Sequence, residues 1–257
     1  MILDSRLPGA ARMADYLLGD AHSLAADREL ADELERVVPN IRTTVQLGRM
    51  FLRAAVTYLV RAGVRQFLKY GTDVSMVGGV QAIAQAADPD CRVVYVDTDP
   101  IAVNQGRMSL AGNERAAVVQ AELRDLDAAA GLLDLTEPIG LLVIDVLRFL
   151  PESWDPPGVL ARCAGRMVPG SHLAIAHLTT AQTAALTRVM SASTDPVRPR
   201  TRAEIADLFT GFELVVPGVT GVEPWLRERA LTPTEQAAAT RFDVGIGHKP
   251  LPGKRRL

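Results

Sequence analysis

The sequence predicts an α/β fold: a mostly parallel sheet covered by helices on both faces and preceded by a helical N-terminal segment. Three observations carry that reading. Short apolar runs recur between residues 66 and 176, helical stretches separate them, and the runs are apolar at successive positions rather than alternating. Strands buried from both sides have this pattern, whereas a sheet with one wet face alternates. With 257 residues and 48% apolar side chains, the chain can bury such a core and still carry an added segment.

The elements follow in chain order. Leu24, Leu30, Leu34 and Val37 recur at roughly helical spacing from Ser23 to Val38, and Pro39 ends the run. Leu52, Ala55, Val56, Leu59 and Val60 form one face of a helix from Thr43 to Ala62, with Gly63 as its stop. Residues 1–63 therefore read as a helical segment ahead of a domain spanning 64–250, either a small cap on it or an interaction platform. Strands are predicted from Gln66 to Tyr70, Arg92 to Val96, Ala117 to Gln120, Gly140 to Ile144 and His172 to Ala176. Helices are predicted around Gly79 to Ala87, Ile101 to Ala111, Asp127 to Leu133, Pro156 to Met167 and Thr180 to Ser193.

Local punctuation supports the assignment. Asp99-Pro100 and Asp155-Pro156 each place an N-cap acid before a proline at the first helical position. Thr201 to Glu204 and Thr232 to Glu235 match the capping box. Two late strands, Gly211 to Val216 and Arg241 to Gly247, suggest an antiparallel pair at the sheet edge. Residues 251–257, ending Lys254-Arg255-Arg256-Leu257, read as a solvated basic tail.

Composition narrows the function classes. A formal net charge of -2 gives no field to gather nucleic acid or anionic lipid. Arg198-Pro199-Arg200-Thr201-Arg202 lacks interleaved aromatics, so an acidic partner or substrate carrier suits it better than nucleic acid. Cys91 and Cys163 fit no metal or redox spacing and read as buried small hydrophobes, so no metal site is expected. The N-terminus does not follow a signal-peptide pattern, and no apolar run is long enough to span a bilayer, so a cytoplasmic, reducing setting is expected.

In an open parallel sheet the ligand lies beyond the carboxyl ends of the strands, where strand order reverses. Two cues fall there: Lys69-Tyr70-Gly71-Thr72-Asp73 after the first strand, and Asp97-Thr98-Asp99-Pro100 after the second. An acid at the tip of the second strand can accept the hydroxyls of a ribose, or merely cap the helix that follows.

The order of these motifs resembles a bacterial family of class I S-adenosylmethionine (SAM)-dependent methyltransferases. The matching segments are Arg12 to Gly19, Ala25 to Glu29, Val64 to Leu68, Val93 to Pro100, Leu123-Arg124-Asp125 and Gly245 to Pro250. The resemblance covers nearly the whole chain. It implies a Rossmann-like, seven-stranded, mostly parallel sheet with an antiparallel last strand and a helical cap over the cofactor cleft. It also implies Gly71, Asp97, Thr98, Glu122, Leu123 and Asp145 at the cofactor site, with Asp97 on the ribose and Glu122-Leu123 near the adenine.

The departures from the family pattern are charged. The family ends its first strand Asp-Ile-Gly-Ser/Thr-Gly; here Lys69 stands in the acidic place and Asp73 in that of the second glycine. Arg148 replaces a histidine, Gly48 an asparagine, and Asp20-Ala21-His22-Ser23 a glycine- and asparagine-bearing stretch. A lysine opposes the ammonium and sulfonium of SAM, unless Asp73 neutralises it. These replacements lead us to expect a methyltransferase-fold enzyme of small-molecule biosynthesis that no longer uses SAM. It would bind an anionic substrate through Lys69 and Arg148, with Arg28, Arg49 and His177 at the substrate. Asp15, Tyr16, His22 and Asp73 complete the catalytic candidates, a carboxylate or histidine removing a proton for elimination or ring closure. A working SAM-dependent methyltransferase and a non-catalytic scaffold are the alternatives. Asp145 is either a partner for Arg148 or a site acid, and Lys69 either turns to solvent or anchors an anion.

Overall fold

The computed structural model describes residues 7–72, 78–123, 125, 127–181, 183–193, 195, 197–226 and 229–250. Helices α1 (Ala10–Leu18), α2 (Ala25–Val37) and α3 (Ile41–Arg61) precede β1 (Gln66–Tyr70). There follow α4 (Val80–Ala87), β2 (Arg92–Asp97), α5 (Pro100–Ser109), β3 (Ala116–Gln120), α6 (Asp127–Ala130) and β4 (Ile139–Ile144). The chain continues through α7 (Pro156–Arg166), β5 (His172–Leu178), α8 (Ala184–Met190), α9 (Arg202–Asp207), β6 (Glu213–Leu214), α10 (Pro233–Ala239) and β7 (Phe242–His248).

The seven strands form one sheet in the order β3-β2-β1-β4-β5-β7-β6. The first five pair in parallel, while β7 runs antiparallel to both β5 and β6. This is the expected Rossmann-like architecture. Strand order reverses between β1 and β4, which opens the crevice at their carboxyl ends.

Two apolar cores flank the sheet. Phe67, Tyr95, Leu142, Ala174 and Val244 pack under α3, α4 and α10. Leu68, Val94, Leu141, Val143 and Ile175 pack under α7 and α9. Both faces are dry, which explains the unbroken apolar runs. A third cluster joins Met13 and Leu17 of α1 to Leu30 and Leu34 of α2 and to Leu186 and Met190 of α8. Most of α3 belongs to the first core, while its first residue, Ile41, joins α1 and α2 in the third cluster.

The predicted caps form as read. Asp99 Oδ1 accepts from the Ile101 N–H at 2.8 Å, and both Thr201 and Thr232 close capping boxes. Four elements differ. Helix α1 is not marked by the periodicity, α6 ends at Ala130, α8 covers only Ala184–Met190 of the predicted helix, and β6 shrinks to two residues with both side chains exposed. Cys91 and Cys163 are buried and free. No helix among the described residues is long and apolar enough to cross a membrane.

Candidate active site

The turn after β1 places the crevice floor. Gly71 has φ +78°, and a Cβ there would meet Val146 Cγ2 at 2.9 Å, so this turn requires glycine. Its N–H donates to Val96 O at 2.8 Å, which pins the turn to β2. Next to it, Asp97 is half-buried. Its Oδ2 accepts from the Thr72 N–H at 2.6 Å and the Thr72 hydroxyl at 2.7 Å, and its Oδ1 accepts from the Asp99 N–H at 3.0 Å. Three acceptor positions of the carboxylate are therefore taken by the chain itself. Thr98 is exposed, Glu122 is half-buried and Leu123 is buried beside this loop.

Lys69 does not turn to solvent. The side chain is 3% exposed and lies on the α3 side of the sheet, with Nζ 5.8 Å from the centre of the Tyr95 ring. Nζ donates to the Gly71 carbonyl at 2.6 Å. Asp73, its neighbour in the motif, lies outside the described residues.

Between the cap and the strand tips is a cavity of about 150 Å³. Met13, Leu17, Leu34 and Leu52 form its apolar walls, while Lys69, Asp145, Arg148 and Arg49 supply its charges. Asp145 Oδ2 meets Arg148 Nη2 at 2.8 Å, so the acid after β4 is a partner for Arg148 and also a pocket group. Loss of water raises the Asp145 carboxyl above its ordinary range, although Arg148 pulls the other way. Arg148 stacks 4.7 Å from the Phe149 ring, and its buried Nε has no hydrogen-bond partner. Three cations face one carboxylate among the described lining residues.

Other candidates lie elsewhere. Asp15 is buried, but its Oδ2 accepts from the His22 N–H at 2.9 Å and it is not in the pocket wall. His22 is exposed beside it. The Tyr16 hydroxyl donates outward to Asp32 at 2.9 Å, and Arg28 is exposed, donating to Ser23 O at 2.7 Å. His177 is fully buried: Nδ1 donates to Leu178 O at 2.8 Å, and Nε2 accepts from Arg200 at 2.6 Å. Burial pushes its pKa down to about 3, which keeps it neutral. In the basic run 198–202, the buried Arg200 bonds His177 and Glu152, and the exposed Arg202 pairs with Asp243.

A doubly wound sheet with a ligand crevice at its switch point and a polar, capped pocket above it defines a methyltransferase-type fold. A profile of the S-adenosyl methyltransferase family matches residues 1–250, and the chain belongs to that family. It is 31% identical to a crystallised candidate methyltransferase from Thermobifida fusca YX, covering 96% of this chain and 97% of that one with a TM-score of 0.87. A DUF574 family protein from Streptomyces avermitilis MA-4680 is 30% identical, covering 96% and 99%, also with a TM-score of 0.87. The N-methyltransferase NodS from Bradyrhizobium japonicum WM9, solved with S-adenosyl-L-homocysteine, shares only the fold, at 16% identity and a TM-score of 0.50 over 93% and 100%. None of the curated proteins matches the chain.

Proposed function

We propose that this chain is a methyltransferase-fold enzyme acting on an anionic small molecule in the cap pocket, by proton removal and elimination or ring closure rather than by methyl transfer. One observation carries this reading: the buried Lys69 ammonium stands at the end of β1, in a pocket shared with Arg49 and Arg148. SAM brings an ammonium and a sulfonium to that region. Like unit charges about 4 Å apart repel by roughly 1–4 kcal/mol at surface-like dielectric, which corresponds to about one to three decades in affinity. The nucleoside end is better served by Asp97, although Thr72 and Asp99 already occupy much of that carboxylate. The residues at β1 therefore do not fit the whole cofactor.

The same residues suit an anion. Lys69 and Arg49 hold its acidic group, the guanidinium fork matching a carboxylate, phosphate or sulfate. Asp145, its carboxyl raised by burial above the ordinary carboxylate range, takes the proton. The electron pair left behind forms the new π or ring bond. The leaving group departs with its bonding pair, and Arg148 meets the negative charge growing on it.

A second reading, SAM-dependent methylation of a small molecule with Lys69 neutralised by Asp73, is favoured by membership of the family. Calorimetric titration of the full chain with SAM and S-adenosyl-L-homocysteine separates the two. The first reading expects no saturable binding of either in the micromolar range; micromolar binding of both establishes the second.

A further inference from the structure

The residue just before β7, Arg241, is a cation that no carboxylate among the described residues balances. It is 4% exposed. Its Nε is buried without a hydrogen-bond partner. Nη1 has one long contact, 3.4 Å to the hydroxyl of Thr44. Its backbone is fixed: the Arg241 carbonyl accepts from the Thr179 N–H at 2.7 Å, and its N–H donates to Ala238 O at 3.3 Å. A buried guanidinium with one weak bond is costly, because its water has been removed and little has replaced it. Burial without a partner also pulls its pKa below the ordinary value.

Its position gives that cost a use. Thr44 and Phe242, the residues that touch and follow Arg241, both line the cap pocket. Arg241 is thus one hydroxyl away from the cavity that holds Lys69, Arg49 and Arg148. The pocket crosses the tips of β1, β4, β5 and β7, and β7 is three strands from β1. At about 4.8 Å per strand, the two ends are roughly 14 Å apart along the sheet, before side chains reach inward.

We infer that Arg241 and Thr44 form a second anion anchor, so that the pocket selects a substrate with a carboxylate at each end. One carboxylate takes the Lys69 side and the other bonds the unused Arg241 nitrogens, with Thr44, whose hydroxyl donates to Asn40 O at 3.3 Å and accepts from Arg241, orienting the guanidinium. A planar carboxylate matches the guanidinium edge in two places, which a chloride or a hydroxyl does not. The inference rests on the anionic-substrate reading above and adds the length and second charge of the ligand.

Linear α,ω-dicarboxylates from malonate to suberate, with the monocarboxylates of equal length, are suitable probes, read by calorimetry and thermal shift on the full chain. The wild type is expected to bind one intermediate diacid at least ten-fold tighter than its monoacid. Arg241→Met should bring diacid affinity down to that of the monoacid and keep or raise the ligand-free melting temperature. Thr44→Val should reduce the ratio without a folding defect. The inference is overturned if Arg241→Met binds diacids as the wild type does, or if its only effect is a lower melting temperature with the ratio intact. Failure of the parent reading looks different: Lys69→Met and Arg49→Met would then leave monoacid binding unchanged.

Discussion

Arg12 and Asp99 tie the cap to the nucleotide-type crevice. Arg12 is 1% exposed, and its Nη1 bonds Asp99 Oδ2 on the loop that follows β2. Its Nε donates at 2.8 Å to Asp27, which is fully buried and also accepts from the Gly9 and Leu24 N–H groups. One guanidinium therefore joins α1, the start of α2 and the start of α5.

Arg12→Met leaves Asp27 charged and enclosed. Breaking one side of a buried pair costs about 3–5 kcal/mol. Chemical denaturation should show a loss of that order. The double variant Arg12→Met/Asp27→Asn should recover part of it, because both desolvated charges are then gone while an acceptor remains for the Gly9 and Leu24 N–H groups; a double variant no better than the single would refute a buried-charge origin.

Restoring the family residues at β1 tests the inversion of charge directly. Lys69→Asp/Asp73→Gly should raise SAM affinity by roughly ten-fold to a thousand-fold, the range set by removing one close like-charge contact. Calorimetry on the variant and wild type under identical salt gives the answer. An unchanged affinity would locate the obstacle elsewhere in the crevice.

Acid should weaken the fold through two histidines. Burial lowers His177 from 6.5 to about 3 and His172 from 6.5 to about 4. A depressed folded value means the unfolded chain takes the proton first. Their contribution is complete above about pH 6.5 and is lost as pH falls through the folded values. Asp15 and Asp145, raised by burial, work in the opposite direction from 3.8 upward. Denaturation midpoints between pH 7.5 and 4 should fall, and His177→Gln should flatten the slope.

Lys249 closes the end of α7. Its Nζ donates to the carbonyls of Ala164 and Met167, each at 2.5 Å, at the end of the helix where Ala164 O also accepts from the Met167 N–H at 3.3 Å. Lys249→Met is expected to cost about 1–3 kcal/mol, the typical loss for charged hydrogen bonds. Thermal unfolding of the two proteins measures it. No shift would mean water replaces the lysine fully.

Much of the architecture could be read from local chemistry, because both sheet faces are apolar and the helix starts carry Asp-Pro or Thr-x-x-Glu signals. Helix α1 escaped because its nine residues bury few apolar side chains, and its stop at Gly19 lacks a flanking pattern. Strand β6 was overread because Gly211 to Val216 is β-rich, yet Glu213 and Leu214 lie exposed at the sheet edge. Among the pocket-lining residues, Lys69 and Asp145 are legible as charges at strand ends, a local property, whereas Arg148 lies four residues beyond β4. Tyr16, Arg28 and His177 were not separable in that way: the partners that draw them off, Asp32, Ser23 O and Arg200, depend on how the helices and loops pack. Arg241 had no signal in sequence, since only the full tertiary arrangement reveals that it lacks an acid.

The bonds around Asp97 run further than the crevice. Thr72 donates to Asp97, Asp97 accepts from Asp99, and Asp99 holds Arg12 against Asp27. Any molecule whose hydroxyls draw Asp97 away from Thr72 pulls on the same string of groups that seats α1. Occupancy at the tip of β2 should therefore be audible at the opposite end of the string, as slower amide exchange or altered protease cutting in residues 10–27, without a probe placed near the ligand.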